Sequence, residues 1–467
     1  METWTMNNAG GLRGRVRGLF TGSGLGARAM RSSALTVGSY GTQQALRLAS
    51  NLILTRLLFP EAFGMMALVY MVIQGLNMFS DAGVTPAIMQ SKRGDDPKFL
   101  NTAWTLQVGR GVILWLCAIA LSWPLAAFYE APQLAQILPV LGITLVLSGL
   151  FPTRKDTANR HLMMGRVTLL ELAGQSFGIV VGVVLAWLTG SIWALVISGL
   201  ATSVAHLVLY TLFLPGDHNR FGWDKSAVSE LINFGRWIFL STIAGFFLYQ
   251  GDKIILGKFL SIEMLGIYNI GFFLASFPFL LGNLAIQKVL IPIYRERPPK
   301  ESPENFAKLR KMRFLVSAAL LGMSGILALS GNWIIGFLYD SRYMLSGGVL
   351  VFVAVSQITH LILLTYDQAA LAAGDSRRFF VLNAARAVLM IAGLWAGVVL
   401  GGLFGALIGA TLAGILIYPV VVWLARHQGT WDPLHDGVFG ALGVILVLLA
   451  FWVNWPAVTA LVALNSP

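Results

Sequence analysis

The chain reads as long apolar runs broken by short polar turns. Thirteen runs approach or exceed the roughly 20 residues that a membrane-spanning helix needs: 33–58, 60–79, 101–123, 132–152, 166–188, 191–213, 235–260, 263–290, 313–337, 346–373, 379–399, 402–425 and 436–455. No long soluble domain interrupts them. The longest polar insert, about 291–312, contains "PIYRERPPKESPENFAKLRK". The pattern predicts an all-α integral membrane protein of 12–14 spans, thirteen by this count.

Composition agrees. Of 467 residues 56% are hydrophobic and 12% charged, where a soluble domain carries roughly 25% charged residues. Mean hydropathy is +0.73. The single cysteine, Cys117, rules out an internal disulfide and says nothing about redox compartment.

A net charge of +12 raises the question of nucleic acid, but the cations are not clustered as a binding patch. The N-terminal segment and every second loop hold 24 of the 33 Lys and Arg. That bias marks cytoplasmic loops, so the N-terminus is expected in the cytoplasm and no nucleic acid is expected as partner. Residues 1–32, with Arg13, Arg15, Arg17, Arg28 and Arg31, read as a basic cytoplasmic or interfacial segment. They do not read as a cleavable signal, because the apolar run that follows is too long.

An internal repeat organises the spans. "LTRLLFPEAFG" (54–64) lies over "LGKFLSIEMLG" (256–266) at an offset of 202. Arg56 meets Lys258, Glu61 meets Glu263 and Gly64 meets Gly266. Both copies stand where a first span hands over to a second at the external side. The expected layout is therefore two parallel six-helix lobes around a central cavity, 33–213 and 235–425. A cytoplasmic linker, 214–234, joins them, and 426–467 adds a C-terminal helix and tail. Two glycine ladders, Gly174-Gly178-Gly182 and Gly401-Gly405-Gly409, are expected to pack helices closely.

Ionisable groups inside spans are costly and need a partner or a cavity. The first span carries Tyr40, Gln44, Arg47 and Asn51 on one face about 60° wide. The seventh carries Tyr249, Asp252 and Lys253, with Tyr249 and Lys253 at the repeat positions of Arg47 and Asn51. Asp252 and Lys253 should point about 100° apart and serve different partners. Arg110 and Arg386 lie deep in the third and eleventh spans, and Lys288 near the end of the eighth. Each has a structural reading, helix packing or snorkelling, beside a cavity-lining one. His360 and Asp367 are seven residues apart on one helical face and form a candidate ion-coupling pair, against the commoner buried structural histidine. Trp104, Trp123, Tyr129 and Trp455 read as interfacial anchors.

No enzyme constellation is present. "GDKIILGKF" fails the phosphate-loop pattern, with five residues between its glycines and Phe259 after Lys258. HExxH, GxSxG and zinc spacings are absent, so neither a metal nor a cofactor is expected.

The stretches "SNLILTRLLFPEAFGMMALVYMV", "FSDAGVTPAIMQ", "GDKIILGKFLSIEMLGIYNIGF" and "ALAAGDSRRFF" resemble the polysaccharide-transporter branch of the multidrug/oligosaccharidyl-lipid/polysaccharide flippase superfamily. The resemblance covers about 30–425. It implies a flippase of the bacterial inner membrane for undecaprenyl-pyrophosphate-linked oligosaccharide, working by alternating access in lipopolysaccharide, capsule or exopolysaccharide assembly. Implied partners are that lipid, membrane lipid, a polysaccharide polymerase and glycosyltransferases. Arg47 and Lys253 match family positions that face a basic cavity, where they would hold the pyrophosphate. Asp252, Tyr40, Gln44, Asn51 and Arg110 complete the candidate substrate site. Two other readings stay open. A cation-coupled drug exporter of the same superfamily would need an acidic cavity. A polymerase or ligase of the same pathway would need a large external loop, and every external loop here is short.

Overall fold

The computed structural model describes residues 25–80, 83–286, 290–296, 298–372 and 375–463. Among them it is helical, with no strand. The first half holds α1 (Leu25–Leu57), α2 (Pro60–Phe79), α3 (Val84–Gln90), α4 (Pro97–Phe128), α5 (Leu134–Leu141), α6 (Ile143–Gly149), α7 (Arg154–Arg160), α8 (Met164–Thr189) and α9 (Trp193–Phe213). The second half holds α10 (Lys225–Phe259), α11 (Ile262–Ala275), α12 (Phe277–Ala285), α13 (Ile291–Glu296), α14 (Pro303–Leu338), α15 (Leu345–Ala372), α16 (Ser376–Leu416), α17 (Tyr418–His427), α18 (Pro433–Val453) and α19 (Trp455–Ala463).

Helix starts follow from local chemistry. Asp96, Asp224, Ser261, Ser302 and Asp432 each accept a backbone N–H of the turn that they open. Pro60, Pro97, Pro303 and Pro433 occupy first-turn positions, where a missing N–H costs nothing.

Every predicted span falls on helix, but the count of thirteen is not reached by length and apolarity. Nine described helices pass that test, or ten if the bent run Leu134–Gly149 plus Arg154–Arg160 is one span. Two physical causes explain the shortfall. Helices α1 and α10 carry the polar stripes noted above, which lower their hydropathy. Spans eleven and twelve run together as one helical record that breaks at Gly401 and Gly402 (φ 52°). The two arms fold back antiparallel: a Cβ on Gly393 would meet the Gly409 carbonyl, and one on Gly397 the Gly405 carbonyl.

The first glycine ladder does the packing expected; of the second, Gly405 and Gly409 pack on Gly397 and Gly393, while Gly401 lies in the break. Gly174, Gly178 and Gly182 of α8 lie against His206, Thr202 and Ser198 of α9. In a bilayer such close approach holds helices together, because lipid tails give no hydrophobic drive for association. The most buried spans are α2 (67%) and Leu345–Tyr366 of α15 (78%). Helix α2 packs on α10 and α11 of the other half, and α11 packs on α15. One apolar core therefore runs through both halves.

The halves meet most tightly at the end of the bundle where α1 and α10 finish. A Cβ on Gly64 would lie 1.9 Å from the Ile262 carbonyl oxygen, and one on Gly266 would lie 1.9 Å from that of Pro60. The offset of 202 relates Gly64 to Gly266 and Pro60 to Ile262. Repeat mates therefore touch each other reciprocally, as residues do across a two-fold axis.

Candidate substrate site between the lobes

The two cations predicted from the first span of each lobe converge on one helix. Arg47 of α1 is exposed, with its guanidinium carbon 5.5 Å from the Phe273 ring centroid. Lys253 of α10 is mostly buried, with Nζ 4.9 Å from the Phe272 centroid. Phe272 and Phe273 are consecutive residues of α11. A cation over an aromatic face gains electrostatic attraction and is held in place without being neutralised. Arg47 thus keeps its guanidinium donors for a ligand.

Asp252 and Lys253 do not serve different partners. Lys253 Nζ lies 3.3 Å from Asp252 Oδ2, because a four-carbon stem can swing back along the helix. Asp252 is buried and also accepts the Tyr268 hydroxyl at 2.9 Å. This carboxylate neutralises Lys253 in the absence of another anion.

The rest of the α1 stripe divides. Tyr40 is half-buried. Gln44 is buried, and its Oε1 has no hydrogen-bond partner. Asn51 Oδ1 accepts the Tyr339 hydroxyl at 3.2 Å. Arg110 donates to the Asn77 carbonyl at 2.8 Å and to Ser80 Oγ at 2.9 Å. It thereby joins Ser80 in finishing the end of α2, where the Asn77 carbonyl also accepts from the Ser80 hydroxyl.

His360 of α15 is half-buried, with its ring 4.8 Å from that of Phe279. Arg386 lies close enough to act on it electrostatically. The side chains of Asp367 and Lys288 fall outside the described residues, so the His360–Asp367 pair does too. Glu171 pairs with Lys155 at 3.0 Å and accepts from Gln43 of α1 at 3.4 Å. No group of three or more metal-ligating side chains occurs among the described residues.

Sequence reasoning missed Phe272, Phe273 and Tyr268. All three lie in "GIYNIGFFLA", which reads as apolar core. Tyr129, expected as an interfacial anchor, is buried instead and directs its hydroxyl at the Ile254 carbonyl of the other lobe, 3.5 Å away.

Residues 53–346 match the model of the family described as polysaccharide biosynthesis protein. The chain belongs to that family. Among relatives, teichuronic acid biosynthesis protein TuaB of Bacillus subtilis is 22% identical over 352 residues, 74% of this chain and 72% of TuaB. Succinoglycan biosynthesis transport protein ExoT of Rhizobium meliloti is 25% identical over 260 residues, 55% of this chain and 51% of ExoT. Among solved structures, the lipid II flippase MurJ in an inward closed conformation superposes with a TM-score of 0.66 at 13% identity. That match covers 93% of this chain and 98% of MurJ. An inward-facing MATE family transporter of the MOP superfamily gives 0.55 at 15% identity, over 83% and 94%. The fold is that of these transporters, two lobes of helices in a membrane.

Proposed function

We propose that this chain moves an undecaprenyl-pyrophosphate-linked oligosaccharide from the cytoplasmic to the outer leaflet of the bacterial inner membrane, for surface polysaccharide assembly. It would do so by alternating access, working with the glycosyltransferases that build the cargo and the polymerase that consumes it. The observation that carries this reading is the convergence of Arg47 and Lys253, one from each lobe, on consecutive rings of α11. Two cations brought to neighbouring rings of one helix suit a doubly phosphorylated head group. Arg grips phosphate oxygens bidentately, and Lys adds a point charge. An incoming pyrophosphate would take Lys253 from Asp252. Tyr40, Gln44 and Asn51 would line the path.

In this reading the loops rich in Lys and Arg face the cytoplasm, and the ends of α1 and α10 face outward. The drug-exporter reading has less support. It needs an unpaired acid to bind a cation, and among the described side chains its candidates Asp252 and Glu171 are each paired with a lysine.

The test is neutralisation. Arg47→Gln and Lys253→Gln are expected to abolish surface polysaccharide while the protein stays in the membrane, with lipid-linked oligosaccharide accumulating on the cytoplasmic side. Normal polysaccharide in both variants removes these residues from the site. Unchanged lipid pools on deletion of the whole chain remove the function.

A further inference from the structure

Three sets of contacts join the lobes where α1 and α10 end; the offset of 202 relates the central one, and the two flanking ones are alike in kind. At the centre, Gly64 and Gly266 touch reciprocally. On one side the segment after α14 reaches to the end of α1. The Tyr339 hydroxyl donates to Asn51, Arg342 to the carbonyls of Thr55 (3.0 Å) and Arg56 (3.3 Å), and the Tyr343 hydroxyl to the carbonyl of Leu58 (3.0 Å). These carbonyls have no partner within their own helix end, and a cation there also meets the negative end of the helix dipole. On the other side the segment after α4 reaches to the end of α10. The Tyr129 hydroxyl approaches the Ile254 carbonyl, and Lys258 pairs with Glu130 at 2.8 Å. Helices α4 and α14 are the third spans of their lobes, so each third span sends a tyrosine and a charged residue to the first span of the opposite lobe. Glu130 holds a left-handed backbone, φ 54°, an uncommon geometry for a residue with a Cβ. Such geometry persists only where surroundings enforce it.

We propose that these contacts are the outer gate: a pair of clasps, Arg342 on α1 and Glu130 on α10, closed over the Gly64–Gly266 pair. Gly64, Gly266, Glu130, Lys258 and Arg342 are positioning residues. They touch no cargo, and they set whether the space between the lobes opens outward. The glycines let α2 and α11 meet backbone to backbone, and the clasps are weak enough individually to part. This assignment of sides rests on the flippase reading and its orientation.

The experiment reads access. In full-length protein with Cys117→Ser, Tyr249→Cys serves as reporter, because Tyr249 is exposed on α10 at the repeat position of Arg47. A membrane-impermeant maleimide added outside is expected to label it slowly. Adding Gly64→Ala places a methyl group against the Ile262 carbonyl and is expected to speed labelling at least about five-fold, the low end of what an overpacked contact costs. Lys258→Glu is expected to speed it about two-fold, and Lys258→Glu with Glu130→Lys to return it to the parental rate. Unchanged labelling in Gly64→Ala protein present in normal amount overturns the gate. A second arm covers misfolding. With Tyr249 left in place and Glu130→Cys and Lys258→Cys joined by a short bis-methanethiosulfonate, which links both thiols as disulfides, polysaccharide export is expected to stop, and reduction to restore it. Undiminished export by cross-linked protein overturns the proposal. Labelling that responds as stated, in a chain whose deletion leaves polysaccharide intact, sustains the gate and removes the cargo.

Discussion

Lys253 rests between two partners, the Asp252 carboxylate 3.3 Å from its Nζ and the face of Phe272. Asp252 is thus a resident competitor for any anion that Lys253 receives. Asp252→Asn keeps an acceptor for the Tyr268 hydroxyl and removes the competing charge. Purified protein carrying it should bind undecaprenyl pyrophosphate about ten-fold more tightly in a direct titration, the low end of a charged hydrogen bond. Equal or weaker binding would show that the pair never opens for ligand.

Arg313 makes a different kind of prediction. It is fully buried in α14, donating to the Thr430 carbonyl and to Tyr294 Oη, with its guanidinium 4.3 Å from the Tyr366 ring centroid. Tyr366 donates in turn to Asp436 at 2.7 Å, and Asp436 also accepts from Tyr418 and Trp431. His435, beside it, meets Ser317 at 2.8 Å. This network fastens α18 to α14, α15 and α17. Arg313→Ala should destabilise it by about 2–4 kcal/mol, through lost packing and orphaned acceptors. Arg313→Lys should fail to restore it, since one ammonium cannot replace a planar fork. Thermal unfolding in detergent measures the loss. Protease cleavage near 428–433 in the variants locates it.

Close packing of α8 on α9 can be tested at Gly178, where a Cβ would sit 1.7 Å from Thr202 Oγ1. Gly178→Ala should cost about 1–3 kcal/mol. Adding Thr202→Ala should recover much of that, so the two changes will not be additive. Additive losses in thermal unfolding would mean the helices had already moved apart.

Asp224 caps α10 and accepts from Arg93 Nη2 at 2.8 Å, tying the inter-lobe linker to the loop before α4. Hydrogen bonds from Arg93, then from Ser226, hold its carboxyl below the ordinary aspartate value of 3.8. A depressed value stabilises the fold above the unfolded value and loses that contribution as pH falls through the folded one. Protease sensitivity of the linker should therefore stay flat from neutral pH down to about pH 4. Arg93→Ala should raise it across that range. A rise in the parental chain between pH 7 and pH 5 would contradict the assignment.

Much of this was legible in the sequence, and the exceptions share a cause. Periodicity placed Arg47 and Lys253 on the first spans of the two halves, Lys253 one turn beyond the repeat position of Arg47, because helical spacing is local information. The offset of 202 identified Gly64 and Gly266 as equivalents, yet equivalence does not say that two residues touch unless they flank the axis. Phe272 and Phe273 looked like filler because an apolar run gives no sign of which ring will sit under a cation. Arg313, Tyr366 and Asp436 are separated by more than 50 residues from one another, and no local pattern announces such a meeting. Arg110 kept both a packing and a cavity-lining reading, because depth in a span alone cannot distinguish a ligand-binding cation from one that finishes a helix.

The reciprocal meeting of Gly64 with Gly266 also bears on ancestry. Had a half-length forerunner once paired with its own copy in the same orientation, a single glycine would have met itself, and one change would have altered both sides at once. Duplication and fusion separate the two positions. Each can then drift alone, and an asymmetric machine can grow from a symmetric joint.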